Sequence, residues 1–229
     1  MDSRNSILKR IQEAGCYSAD TSEHSSTIDL KISESIKSIT PESNKDLWDQ
    51  FKKEIELVAG AFYKTESINA SAEIIIKFLT DSKISRVGIS NEEICLKTAL
   101  KIKEIESGLK IISPSQFDHA ERKKEYAVTE AAVVNPSFAV ADTGTLVFTL
   151  KGAGTSYPHF LCDNIFALID ESRIVPNQFE LFRRLRREEM KEMFFVTGPS
   201  RTADIEKILV LGAHGPRNLT VLMSENIAQ

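Results

Sequence analysis

Cysteine is scarce in this chain: Cys16, Cys95 and Cys162 are the three present in 229 residues, and they lie far apart. Without a Cys-x-x-Cys pair, neither an iron–sulfur cluster nor a structural zinc site is indicated, and an odd count argues against a disulfide framework. The four histidines, His24, His119, His159 and His214, show no His-x-x-x-His spacing, so no metal is expected. A dinucleotide-binding glycine fingerprint is missing as well, and no cofactor is expected. The longest apolar runs, such as Ile74–Ile76 and Ile208–Leu211, fall far short of the roughly 20 residues that span a bilayer. Nor is there a basic excess. With 29 Lys and Arg against 33 Asp and Glu, the net charge is −4, which offers no field for nucleic acid. Met1–Asn5 leads into a polar helix and carries no secretory apolar segment. The expectation is a cytoplasmic protein without membrane insertion.

What is present suits a sizeable core: 41% of residues are apolar and 27% charged. Ser3–Gly15 reads as a short amphipathic helix, and Ser18–Ser43 as a polar, extended arm. Residues 1–44 therefore form an N-terminal arm, and 45–229 the domain. Within the domain the chain alternates. Helices are expected over Asp46–Ala59, from a cap at Asn69 or Ser71 to Leu79, from Ser90 or Asn91 to Glu106, over most of Phe117–Val134, and through Leu181–Leu185. Trp48 and Phe51 belong to the core. Strands are expected at Ala61–Lys64, Arg86–Ser90, Leu109–Ser113, Phe138–Ala141, Thr145–Leu150, Asn164–Asp170, Met193–Thr197 and Leu219–Met223. Such alternation predicts an α/β three-layer domain with a mainly parallel sheet, with a hairpin at 138–150 added to that sheet.

In a sheet of this kind, ligands sit beyond the carboxyl ends of strands. Three loops that come after strands are candidates. In Thr197–Glu206, Gly198 and Pro199 fix the backbone, while Ser200, Arg201 and Thr202 supply donors for a carboxylate or phosphate. Asp204 and Glu206 are expected at a helix N-terminus. The plainer reading is that Ser200 or Thr202 caps that helix and Arg201 pairs with an acid. Asp142-Thr143-Gly144-Thr145 sets a carboxylate and two hydroxyls in a tight turn; alternatively Asp142 bonds its own backbone. Lys151–Gly154 lacks the phosphate-loop pattern and reads as a flexible turn. His214, between Gly212 and Gly215, has room beside it for a ligand and a side chain suited to proton transfer; alternatively it braces the neighbouring loop. The run Arg183–Arg187 with Glu188 and Glu189 after it reads as a solvated, ion-paired helix face.

Several segments occur here in a familiar order: Asp46–Phe51, Ala139–Leu146, Ser172–Pro176, Thr197–Glu206 and Leu211–Pro216. Together they resemble the lactate-utilisation protein C family, the LUD domain, over about 46–223. The resemblance implies a fold similar to the sugar-phosphate isomerase and CoA-transferase group. It also implies a part in oxidising L-lactate to pyruvate beside iron–sulfur lactate-oxidation subunits. Family members often carry Glu where this chain has Asp142, and histidine where it has Asp163-Asn164.

The leading expectation is an auxiliary lactate-utilisation protein with no redox centre of its own. It would bind a small carboxylate or phosphorylated ligand: Arg201 holds the anion, Thr143, Thr145 and Ser200 orient it, and Asp142 or His214 moves a proton. Two alternatives stand beside it. One is an independent enzyme resembling CoA transferases or formyltetrahydrofolate cyclo-ligases. The other is a non-catalytic module that assembles with iron–sulfur proteins.

Overall fold

The computed structural model describes residues 44–151, 154–185, 191–203, 209–211 and 215–224. Six strands form one sheet in which every neighbour is parallel: β1 (Ala61–Thr65), β12 (Asn218–Ser224), β7 (Asn164–Asp170), β4 (Ala131–Val134), β2 (Arg86–Ile89) and β3 (Lys110–Ile112), in that spatial order. The chain thus steps outward from β1 through β2 to β3, then turns back through β4, β7 and β12. Right-handed crossovers put the outward connections on one face and the return connections on the other. Accordingly, helices α2 (Ile68–Asp81) and α3 (Glu93–Ile105) share one apolar layer with Val87, Ile89, Val133, Phe166 and Leu168. Helices α1 (Asn44–Leu57) and α4 (His119–Ala127) meet the opposite face at Ala132, Val134, Ile165, Ala167 and Val221. Alternate residues of each strand enter alternate layers, the period-2 rule of a sheet buried on both sides.

A second, four-stranded sheet completes the α1 face: β8 (Ile174–Val175), β5 (Phe138–Val140), β6 (Thr145–Leu150) and β9 (Glu192–Val196). Its inner residues Ala139, Leu146 and Phe148 join the α1 core, and its outer Val140 and Val147 pack on Leu181 of α6 (Gln178–Arg184). The hairpin expected as an extension of the parallel sheet therefore belongs to a separate one, built by long-range pairing with β8 and β9. Residues 131–134 also differ from expectation. Ala131-Ala-Val-Val134 is fully buried and forms the central strand β4, where small and β-branched side chains fit between two covered faces.

Helix α1 sets the position of the distinctive loops. Leu47, Trp48, Phe51 and Ile55 recur at helical spacing, and all are buried. Trp48 and Phe51 stand edge-to-face at 5.4 Å, and the Trp48 Nε1–H donates to the Glu171 carbonyl at 2.9 Å, just past the carboxyl end of β7. The helix runs antiparallel to the strands, so its C-terminal turn lies by their amino ends. There Gly60 N–H donates back to the Ile55 carbonyl at 2.8 Å, and Ala59 takes a left-handed φ of 65°, a helix stop that turns the chain into β1.

Candidate functional site

The structure brings together the two loops that the sequence singles out. The Asp142 loop forms a 3-10 turn over Ala141–Thr143 and is closed by Gly144 at φ 60°. Gly198 has φ 84°. Both glycines are pressed against the last turn of α1. A Cβ on Gly144 would lie 2.6 Å from the Ile55 backbone nitrogen, and one on Gly198 would lie 2.6 Å from Val58 Cγ2. Only glycine meets both demands, a positive φ and no side chain. The strands β6 and β9 run on into these loops side by side. Where they end, the Thr145 and Thr197 hydroxyls meet at 2.7 Å. Ser200 N–H donates to the Pro216 carbonyl at 2.7 Å, and a Cβ on Gly215 would come 3.3 Å from Ser200 Cβ. Thr197–Ser200 thus links the Asp142 turn to the Gly215-Pro216 segment.

The location corrects the sequence expectation. These loops extend from strands of the second sheet, and they gather at the amino ends of the parallel one. Val58 leads into β1, Pro216 leads into β12, and the Arg217 and Asn218 amides donate to the carbonyl of Asp163, which leads into β7. Arg201 and Thr202 also differ. They do not open a helix; Arg201–Ala203 is β10, the first strand of an antiparallel ribbon with β11 (Leu209–Leu211). Asp204, Glu206 and His214 lie outside the described residues.

The electrostatics centre on Asp142. Its side chain is exposed, yet its carboxyl is held above the usual range, chiefly by partial burial and then by the nearby Glu54 carboxylate; the neighbouring Thr143 hydroxyl offsets part of this. Asp142 N–H donates to the Pro176 carbonyl at 3.2 Å. Thr143 Oγ1 is buried without a well-formed hydrogen bond. Thr145 is buried, Thr143 partly so. Sequence reasoning missed Glu54, because α1 reads as a core helix, and nothing local signals that its last turn faces a loop far along the chain.

The other features flagged from sequence have plainer roles. Asn164 is a structural tie: its Nδ2 donates to the Glu130 carbonyl at 2.9 Å and its Oδ1 accepts from Asn218 Nδ2 at 2.7 Å. Gly154 N–H closes a turn on the Lys151 carbonyl at 2.9 Å. Arg183 and Arg184 both reach Glu180 at 2.8 Å; Arg186, Arg187, Glu188 and Glu189 of the charged run lie outside the described residues. Burial opposes ionisation of Glu180, but the two arginines outweigh it and lower its pKa. Cys95 and Cys162 are buried free thiols, and burial, with Asp163 adding to it, pushes Cys162 up to about 12. Among the described residues, no group of three His, Cys, Asp or Glu side chains is arranged to hold a metal ion, and no helix is long and apolar enough to cross a membrane.

At the carboxyl ends of the parallel strands, polar side chains mostly bond within the protein. Thr65 meets Ser71, Ser90 donates to Cys95 Sγ, Ser113 meets Ser115, Asn135 donates to the Leu168 carbonyl, and Asp170 accepts from Ser172. Glu92 Oε2 is buried there without a partner.

Known proteins are similar to this chain. The model of the LUD domain matches residues 48–223, which takes in both glycine loops and the whole parallel sheet. The chain belongs to the LUD domain family. It is similar to lactate utilization protein C of Bacillus pumilus, at 32% identity over 47% of this chain and 48% of that one. The corresponding protein of Halalkalibacterium halodurans is 31% identical over 48% of this chain and 52% of that one. The aligned region thus spans about half the length of these curated relatives. Among solved structures, a DUF162 family protein from Deinococcus radiodurans aligns with a TM-score of 0.57 and 18% identity, over 80% of this chain and 99% of that one. At that identity the likeness speaks for the α/β fold alone.

Proposed function

We propose that this LUD-domain protein takes part in lactate utilisation by binding a small carboxylate or phosphorylated ligand where the Asp142 turn meets Thr197–Ser200. The observation that carries the reading is the junction itself: the two most distinctive loops of the chain, well separated in sequence, are tied through Thr145 and Thr197 at 2.7 Å. Relatives named lactate utilization protein C supply the metabolic context. In this reading Gly198 offers its backbone N–H, Ser200 its hydroxyl, and the buried Thr143 hydroxyl a further polar contact. Arg201, Thr202, Asp204 and His214 remain the proposed further contacts. The protein acts as an auxiliary component in the cytoplasm, and iron–sulfur lactate-oxidation subunits carry the electrons.

A second reading has one observation in its favour. A carboxyl held above its usual range, as at Asp142, is suited to proton transfer or to attack on an acyl group, so an independent CoA-transferase-like activity is the alternative.

A thermal-shift series with L-lactate, pyruvate, inorganic phosphate and coenzyme A tests the binding claim. One of these raises the melting temperature, and Arg201→Ala together with Thr145→Val reduces the shift. No stabilisation by any of the four, or an equal shift in both variants, removes the proposed site. Growth on L-lactate after gene deletion tests the metabolic claim separately; unimpaired growth contradicts it.

A further inference from the structure

Helix α5, Tyr157–Phe160, carries a histidine that the ligand reading does not use. His159 is 2% exposed. Its ring stands edge-on to Phe148 of β6 and to Phe194 of β9, with centroids 4.7 and 5.1 Å away. Those two phenyl rings belong to a cross-strand pair and stack at 5.1 Å, and Phe160 closes against Phe194 at 4.8 Å. Packed there, the His159 Nδ1 is buried and makes no well-formed hydrogen bond.

Among the described residues, no countercharge is placed to balance a proton on that ring. The strands β4 and β6 carry no ionisable side chain, and β9 carries only Glu192, exposed at its start. From α4 comes His119, which faces the Tyr157 hydroxyl at 3.4 Å. Behind α5 lies the buried Cys162 thiol. An imidazolium in an apolar slot without a partner is strongly disfavoured. Burial is the leading cause that holds the His159 pKa down to about 3, with the Ser156 carbonyl opposing it. The element that carries the ring is the shortest α-helix among the described residues, four residues with Pro158 in its first turn, and short, locally bonded segments open at little cost.

We propose that α5 is an acid-released latch: protonation of His159 releases Tyr157–Phe160 from the stacked Phe148–Phe194 pair while the rest of the domain stays folded. A released histidine titrates near its ordinary value of ~6.5, and the latched one only near 3. Lowering the pH from 8 to 5 therefore raises the opening constant about 30-fold. This holds without any ligand and is independent of the site proposed above.

Amide hydrogen exchange on the full chain, without ligand, reads the opening directly. The reporters are His159 N–H, bonded to the Ser156 carbonyl, and Leu161 N–H, bonded to the Tyr157 carbonyl. Their protection factors lie below those of α2 at both pH values, and they fall about 30-fold from pH 8 to pH 5. In His159→Phe the fall disappears; His159→Gln, a smaller neutral side chain, gives the same result where phenylalanine does not fit. Equal protection at the two pH values overturns the latch. So does protection of the two reporters equal to that of α2 at both pH values, which means that they open only by global unfolding, or a loss that persists in both variants.

Discussion

The two ends of the parallel sheet are built differently. At the carboxyl ends, where ligands of α/β proteins usually sit, short hydrogen bonds between neighbours hold most polar side chains, as between Ser113 and Ser115 or Asp170 and Ser172. At the amino ends lie the two positive-φ glycines, the Thr145–Thr197 contact and the buried His159 ring. The family's most recognisable residues have gathered at the end where the fold-level rule does not look. The lesson is that fold does not assign the site: the distinctive loops reach that end because α1 runs antiparallel to the strands and presents its last turn there.

The largest expected effect comes from the clamp. Gly144→Ala adds a Cβ 2.6 Å from a backbone nitrogen at a positive φ, a clash that no side-chain rotation relieves, and costs about 2–4 kcal/mol of stability. Ser113→Ala at the opposite end costs about 1 kcal/mol or less. Urea denaturation of the two variants measures both, and similar losses erase the contrast between the ends.

Next in size is acid sensitivity. Because burial lowers the folded pKa of His159 to about 3, the folded state binds fewer protons than the unfolded one. The stability contributed by the neutral ring is complete above about pH 6.5 and is lost as the pH falls toward 3. Going from pH 8 to 5 removes about 2 kcal/mol. Subtracting the stability profile of His159→Gln isolates this slope from that of the carboxylates, and identical profiles contradict the assignment.

Smaller still is the hydroxyl junction. Thr145→Val and Thr197→Val couple by about 0.5–1.5 kcal/mol in a double-mutant cycle. Additivity between them means the two loops are merely adjacent. The least perturbing change is Glu54→Gln. Asp142 is raised first by burial and then by Glu54, so what Asp142 contributes to stability is present at low pH and lost as the pH rises through its folded value. Removing the Glu54 charge moves the Asp142 midpoint down, read from its carboxyl carbon by NMR titration. An unmoved midpoint excludes Glu54 from the site.

Much of the fold is legible in the sequence where local pattern and burial agree. The strand expected at Asn164–Asp170 is the one observed, because a run covered on both faces is apolar throughout. Trp48 and Phe51 fall in the core as their helical spacing requires. Legibility ends where partners are distant. The expected caps of α2, Asn69 or Ser71, give way to Ser67, whose hydroxyl accepts from Ala70 N–H, while Ser71 turns inward to Thr65. The second sheet depends on pairing Thr145–Leu150 with Glu192–Val196, a strand far along the chain, and no periodicity reports that. The site divides in the same way. Glycines, hydroxyls and Asp142 stand out by composition, whereas Glu54 enters only through the packing of α1. The strand at Arg201–Ala203 is hidden from local pattern because its partner is Leu209–Leu211; the helix start expected at Asp204 and Glu206 lies outside the described residues.

An amide NMR titration of the whole chain with L-lactate, pyruvate, phosphate and coenzyme A decides most directly between the two ends of the sheet. Saturable shifts confined to Asp142–Thr145, Thr197–Ser200 and Gly215, at the amino ends, are the expected result. Shifts that instead cluster at Ser90–Glu92 and Asn135, at the carboxyl ends, contradict a site at the glycine loops.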